Sequence, residues 1–229
     1  MSLASKVRID YFFDVLSPYA WIGFEALSRY QTVWNVDVRW RPFFLFGVLK
    51  KAENVGQLLQ APCKAQYMFA ELPSLSAYYG IPLNAPPDPH EAIIKKGSIS
   101  ALRFLTILNE EKVDMVVPAA REMWLRRWSR NEDIHLGEHM LQISRKIGIP
   151  FKEADDMVAR IAHPDTKARL TETGNEAIES GAFGAPWINV HTTDGKMHSF
   201  WGSDRFHIIA HLIGEKFPGH MRDKAPKYD

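Results

Sequence analysis

Residues 7 to 13, Val-Arg-Ile-Asp-Tyr-Phe-Phe, form a short β-rich run, and Val36-Asp-Val-Arg-Trp-Arg41 alternates apolar and polar side chains with the period of a strand. Between them the spacing is helical from about Tyr19 to Trp34, so the chain opens β-α-β. From about residue 55 to 180 strand signal almost vanishes and amphipathic helical patterns take over, notably over 97–111 and 115–129. A Pro-rich loop, Pro82 to Pro89, interrupts them. After Gly181 the pattern reverts. Trp187-Ile-Asn-Val-His191, the turn Thr192-Thr-Asp-Gly195 and Met197-His-Ser-Phe-Trp201 predict a hairpin. Ser203-Asp204 is placed to cap a closing helix through about residue 216, with a loosely ordered tail from Gly219.

Strand, helix, strand, helical insert, hairpin and helix is the order of an α/β thioredoxin-like fold. Its β-α-β and β-β-α halves are separated by an all-helical insertion, as in DsbA-like chains. The expected division is 1–54 with 180–229 for the thioredoxin-like part and 55–179 for the insert. With 46% hydrophobic and 12% aromatic residues, 229 residues suffice for a packed core.

Charge narrows the partners. Basic and acidic residues number 28 and 27, so no global field would draw in nucleic acid or an anionic membrane. No apolar run approaches the ~18 residues of a membrane span. The opening MSLASKVRIDYFF lacks a secretory apolar run with a cleavage site, and an intracellular location is expected. A single cysteine, Cys63, excludes an intramolecular disulfide, a C-x-x-C redox pair and a multi-cysteine zinc site. Any thiol chemistry would use a ligand's thiol.

Leu16-Ser17-Pro18-Tyr19-Ala20-Trp21 falls where the first strand meets the first helix. Thioredoxin-like redox proteins hold C-P-x-C at this junction; Ser17 and Ala20 stand at the two cysteine positions. Disulfide exchange is lost, but the helix N-terminus still offers N–H groups and partial positive charge to an anion. A free thiol of pKa ~8.5 needs ~2.7 kcal/mol of preferential thiolate stabilisation to fall by ~2 units. A hydroxyl hydrogen bond to a charged group supplies ~1.5–3 kcal/mol and the helix end ~0.3–1. Ser17 serves equally well as a plain helix cap on this pattern alone. Gly181-Ala-Phe-Gly-Ala185-Pro186 precedes a strand, where a thioredoxin-like fold carries a cis-proline that leaves the Ala185 backbone free for a peptide-like ligand. An ordinary turn fits it too. Gly202-Ser203-Asp204-Arg205 opens the last helix and could take the carboxylate and ammonium of one ligand group, or simply cap it.

Other residues invite weaker readings. His135/His139 and His207/His211 have the i, i+4 spacing of helical metal ligands but no third ligand or H-E-x-x-H pattern, so no metal is expected. Trp124 and Trp128 belong to an apolar stripe and read as core or as the wall of a pocket. Arg126, Arg127 and Arg130 read as a solvated face, and Cys63, beside Lys64, as packing or as a site for a mixed disulfide.

The segment Asp14 to Glu25, Lys96-Gly97 with Arg103-Phe-Leu-Thr106, Trp124 with Trp128-Ser-Arg130, Gly181 to Gly184 with Pro186, and Gly202 to Arg205 are collinear from about Arg8 to Phe217. Together they resemble the kappa-class glutathione transferases, which are similar in turn to the 2-hydroxychromene-2-carboxylate isomerases and more distantly to DsbA. The resemblance implies a homodimer that binds glutathione along Ala185-Pro186 and ionises its thiol beside Ser17. Pro18 and Gly202 would complete the contacts, with Lys64 toward the glycyl carboxylate, Asn54 in the loop after the second strand, and Ser203 and Asp204 at the γ-glutamyl end. Tyr19, Trp21, Trp124 and Trp128 would line the pocket for a small hydrophobic electrophile, such as an activated haloarene or an organic hydroperoxide. An isomerase using the same site, or a non-catalytic binding protein, are the alternatives. Kappa enzymes imply a mitochondrial location, or a peroxisomal or cytoplasmic one; the terminal Pro-Lys-Tyr-Asp is not a Ser-Lys-Leu type signal.

Overall fold

A computed structural model describes residues 6–56 and 60–228. The first five residues, read above for a leader, Gln57 to Leu59 and the last residue of the tail lie outside them. Four strands, β1 (Val7–Phe13), β2 (Val36–Pro42), β3 (Trp187–His191) and β4 (Met197–Trp201), form one sheet in the order β2-β1-β3-β4. β1 pairs parallel with β2, Val7 opposite Val36, and antiparallel with β3, Phe12 opposite Trp187. β3 and β4 make the expected hairpin.

Helix α1 (Pro18–Tyr30) links β1 to β2, and the short α2 (Leu45–Lys51) follows β2. The insert holds α3 (Pro62–Tyr79), a π turn (His90–Lys95), α4 (Ile99–Glu111), α5 (Val116–Trp128), α6 (Gly137–Lys146), α7 (Phe151–Ala159) and α8 (Pro164–Glu179). α9 (Phe206–Ile213) closes the fold.

The second half of β1, Tyr11 to Phe13, is unbroken apolar sequence because both of its faces are covered there, whereas the first half alternates through Arg8 and Asp10. Ile9, Tyr11 and Phe13 join the main core, while Phe12 packs with Phe43, Val48, Ala177, Ala182 and Trp187 on the other face. α1 lies so close to β1 that a Cβ at Gly23 would overlap the Tyr11 hydroxyl, which donates to the Ala20 carbonyl at 2.8 Å. The core is continuous from the sheet into the insert. Trp124 of α5 packs against Phe13 and Phe24 with ring centroids 5.3 and 4.8 Å away, and stacks on Trp21 at 6.3 Å.

Several sequence expectations are corrected. α1 ends at Tyr30 and the chain then turns, which stacks Trp34 on Tyr30 at 4.5 Å. α9 starts at Phe206 after Arg205, with no side-chain cap; Ser203 and Asp204 stay in the preceding turn. The Arg126 to Arg130 segment is no solvated face. Arg127 is 2% exposed and donates to Asp133 at 3.0 Å, Arg126 donates to the Asp133 carbonyl at 2.9 Å, and Arg130 pairs with buried Glu122. The tail is tied down, because Tyr30 donates to the Gly219 carbonyl at 2.8 Å, Arg29 to the His220 carbonyl at 2.9 Å, and Tyr228 sits edge-on to Trp21.

Candidate active site

Ser17 caps α1 in extended conformation, and its hydroxyl oxygen accepts the Ala20 N–H at 3.1 Å. That bond leaves the hydroxyl proton to be donated. Pro18 has no N–H, so the Tyr19 N–H is the first backbone donor at the helix end, and no described residue accepts it. The Ser17 carbonyl is held from two sides, by the Trp21 N–H and the Trp124 indole N–H, each at 3.2 Å. The Trp128 indole N–H holds the Val15 carbonyl at 3.3 Å.

This turn opens onto a cavity of about 820 Å³, within the range of small-molecule sites. Ser17, Pro18 and Tyr19 line it from α1; Asn54, Lys64 and exposed Cys63 line it from α2's loop and α3. Ala185, Gly202, Ser203 and Asp204 also line it. The Ala185–Pro186 bond is cis. The Pro186 carbonyl accepts the Gly202 N–H at 3.1 Å, and among the described residues the Ala185 N–H and C=O have no backbone partner. Pro186 itself supports the loop without lining the cavity. Asn54 donates to the Phe183 carbonyl at 2.8 Å, tying the α2 loop to the Ala185 loop. Asp204 pairs with Arg205 at 2.6 Å, and Lys64 donates to Gln60.

The tryptophans divide. Trp128 reaches the cavity wall, whereas Trp21 and Trp124 are fully enclosed and line no part of it. Both are core residues, because the seam between α1 and α5 needs large apolar surface and Trp124's one polar atom is spent on the Ser17 carbonyl. The histidine pairs are likewise structural or solvated. His135 precedes α6, and His139 Nδ1 accepts the Leu136 N–H at 3.1 Å; His207 and His211 are exposed on α9. Among the described residues no group of three or more His, Cys, Asp or Glu could hold a metal ion, and no helix is long and apolar enough to cross a membrane.

Two features were not anticipated. Asp14 is fully buried beneath the Ser17 turn, accepting the Leu16 N–H and the Leu45 N–H at 2.9 Å each, and so joins two cavity walls. Burial pushes its carboxyl from 3.8 up to about 6, against the pull of those two N–H groups and the nearby Ser98 hydroxyl. The second is the face of α3. Lys64, Tyr67, Met68, Glu71 and Leu75 recur at helical spacing along the cavity, and the Tyr19 hydroxyl donates to Glu71. Burial, and then Glu71, holds the Tyr19 phenol well above its ordinary value, so it remains a donor. The α3 spacing was present in the sequence, but nothing local said what it faced.

Residues 8–214 match the DSBA-like thioredoxin domain family. Human glutathione S-transferase kappa 1 is 43% identical over 211 residues, 92% of this chain and 92% of its own length. The rat glutathione S-transferase kappa 1 is 39% identical over the same shares. A solved structure of a 2-hydroxychromene-2-carboxylate isomerase superposes with a TM-score of 0.73 at 20% identity, covering 90% of this chain and 94% of that one. A serine where the redox fold has its cysteine, at the floor of a cavity edged by a cis-proline loop, agrees with those identities: this chain belongs to the DsbA-like thioredoxin family and, within it, to the kappa class of glutathione S-transferases.

Proposed function

We propose that Ser17 donates its hydroxyl hydrogen bond to the thiolate of glutathione, which then attacks a small electrophile in the same cavity. The observation that carries this reading is the Ser17 hydroxyl at the capped start of α1, its oxygen engaged by Ala20 and its proton free toward the cavity. Unpaired backbone at Ala185 supports an extended, peptide-like partner running along that loop. Ser203 and Asp204 suit the γ-glutamyl end, Lys64 the glycyl carboxylate and Asn54 the bend between, all on one cavity wall system.

With an activated haloarene, a C–S bond forms at the ring carbon and the carbon–halogen bond breaks with release of halide. With an organic hydroperoxide, the sulfur takes the distal oxygen, the O–O bond breaks, and the alkoxide gains a proton. A second glutathione then converts the sulfenic acid to disulfide and water. Ser17 stays uncharged and non-covalent throughout, since no histidine or carboxylate in the described residues bonds its hydroxyl. The homodimer and a mitochondrial location belong to the same reading and rest on the family resemblance.

Titrating bound glutathione by its thiolate ultraviolet band tests the assignment. In the wild type the thiol ionises well below ~8.5, and Ser17→Ala keeps binding while its thiol pKa rises by ~1–2 units. A bound thiol with unshifted ionisation, or an Ser17→Ala titration that overlays the wild type, would reduce Ser17 to a helix cap.

A further inference from the structure

Helix α3 is thinly anchored for a cavity wall. Of its 18 residues only Met68 and Leu72 are buried, although Lys64 near one end and Tyr79 at the other both line the cavity. Burial first, then the neighbouring Tyr78 and the Asp204 carboxylate, holds the Tyr79 phenol above its ordinary value, so this end of α3 lies close to Asp204. It is fastened from outside the cavity. Arg29, near the end of α1, is 3% exposed, and its Nη1 donates to the Tyr79 carbonyl at 2.8 Å and to the His220 carbonyl of the C-terminal segment at 2.9 Å. The His220 ring packs on Tyr78 with centroids 4.4 Å apart, and a Cβ at Gly80, the left-handed residue that ends α3, would meet Arg222 at 3.0 Å. Neither Arg29 nor any residue from Gly219 to Tyr228 lines the cavity.

This fastening carries unfavourable terms of its own. Among the described residues Nε and Nη2 of Arg29 are buried with no full hydrogen bond, the Tyr228 hydroxyl beside that guanidinium makes none either, and Met221 holds a left-handed φ of 46°. Lifting the segment would hydrate the first two and relax the third. We infer that Arg29 and residues 219–228 form a releasable clasp that sets affinity for the γ-glutamyl group by holding the Tyr79 end of α3 against α1. The inference rests on the reading that puts that group beside Ser203 and Asp204. Arg29 and the segment act by positioning and touch no ligand. Because coupling between sites is reciprocal, whatever the docked segment adds to affinity, a bound γ-glutamyl group returns as docking of the segment.

The test uses three thiols: glutathione, γ-glutamylcysteine, which keeps the γ-glutamyl group, and cysteinylglycine, which lacks it. Arg29→Met, a neutral side chain in place of the buried cation, weakens the first two about tenfold and cysteinylglycine by less than about twofold. Its kcat at saturating glutathione and the pKa of the bound thiol stay with the wild type, a split that general loosening of the fold would not give. Hydrogen exchange on the wild type needs no variant: glutathione and γ-glutamylcysteine slow the amides of residues 219–228 several-fold, and cysteinylglycine does not. Affinities that Arg29→Met leaves unmoved, or lowers equally for all three thiols, overturn the inference, as does tail exchange indifferent to glutathione. Failure of the transferase reading looks different: the bound thiol is unshifted and no electrophile turns over, while the three affinities and the tail exchange still report on the clasp.

Discussion

At the scale of single residues, Asp14 shows how stability and site geometry are traded. Its carboxyl is enclosed, and burial raises its ionisation to about 6 from the 3.8 of an unfolded chain. The folded state thus holds the proton more tightly than the unfolded one. The associated stability is complete below the unfolded value and is lost as pH rises through about 6. At neutral pH the ionised form costs about 3 kcal/mol, yet only then are both oxygens free to accept, one from Leu16 beside Ser17 and one from Leu45 at the start of α2. Comparing wild type with Asp14→Asn in urea unfolding isolates this term, since other titrating groups cancel. Between about pH 4 and pH 7 the difference should move against the wild type by up to about 3 kcal/mol; a flat difference would mean that Asp14 does not titrate there. Half of this was legible. An Asp accepting the N–H two residues on is a local turn pattern, but the Leu45 N–H, 31 positions away, is reached only in the folded chain. Ser17 was legible for the same local reason, because strand end, turn, cap and Pro18 follow one another closely in the sequence.

Among the elements, the pairing of α1 with α5 decides how firmly Ser17 is held. Arg121 of α5 donates through Nε and Nη2 to the two oxygens of Glu25 at 2.7 and 3.1 Å, and the Trp21 indole N–H adds a bond at 3.2 Å. Glu25 is 0% exposed, so removing its cation strands a buried charge. Arg121→Met is expected to lower the unfolding free energy by about 3–5 kcal/mol, and the double variant Glu25→Gln with Arg121→Met to recover most of it. If both variants lose the same amount, the pair's charge is not what binds the two helices. The amphipathic pattern found α5 closely, from Val116 to Trp128, but gave its polar residues to solvent. Helical periodicity sorts apolar from polar positions; it does not say that Asp133, beyond the helix, will fold back to cover Arg127. The β3–β4 hairpin was read to the residue because alternation and turn chemistry are both local. The start of α9 was not, since a Ser-Asp that looks like a cap is left in the turn, where Ser203 faces the cavity instead.

For the whole molecule, the order of elements was readable from periodicity, but the sharing of one core was not. Ile9, Phe13 and Ile188 of the sheet and Phe104, Trp124 and Met140 of the helical insert belong to a single buried cluster. The cavity has the same dual origin, with Ser17, Ala185 and Ser203 contributed by the thioredoxin-like part and Lys64, Glu71, Ile93 and Trp128 by the insert. Neither part closes the site or its own apolar surface alone, so the two should unfold together although the sequence divides them. Tryptophan fluorescence and far-ultraviolet circular dichroism are then expected to trace one urea transition. Glutathione sharpens the test, because a ligand bound only by the native state stabilises by about 2.7 kcal/mol at a hundred times its dissociation constant. If walls from both parts hold it, the two signals shift together and by the same amount. Should the fluorescence transition move while part of the helical signal melts at its original urea concentration, the insert is a separate folding unit and glutathione is held by the thioredoxin-like part alone.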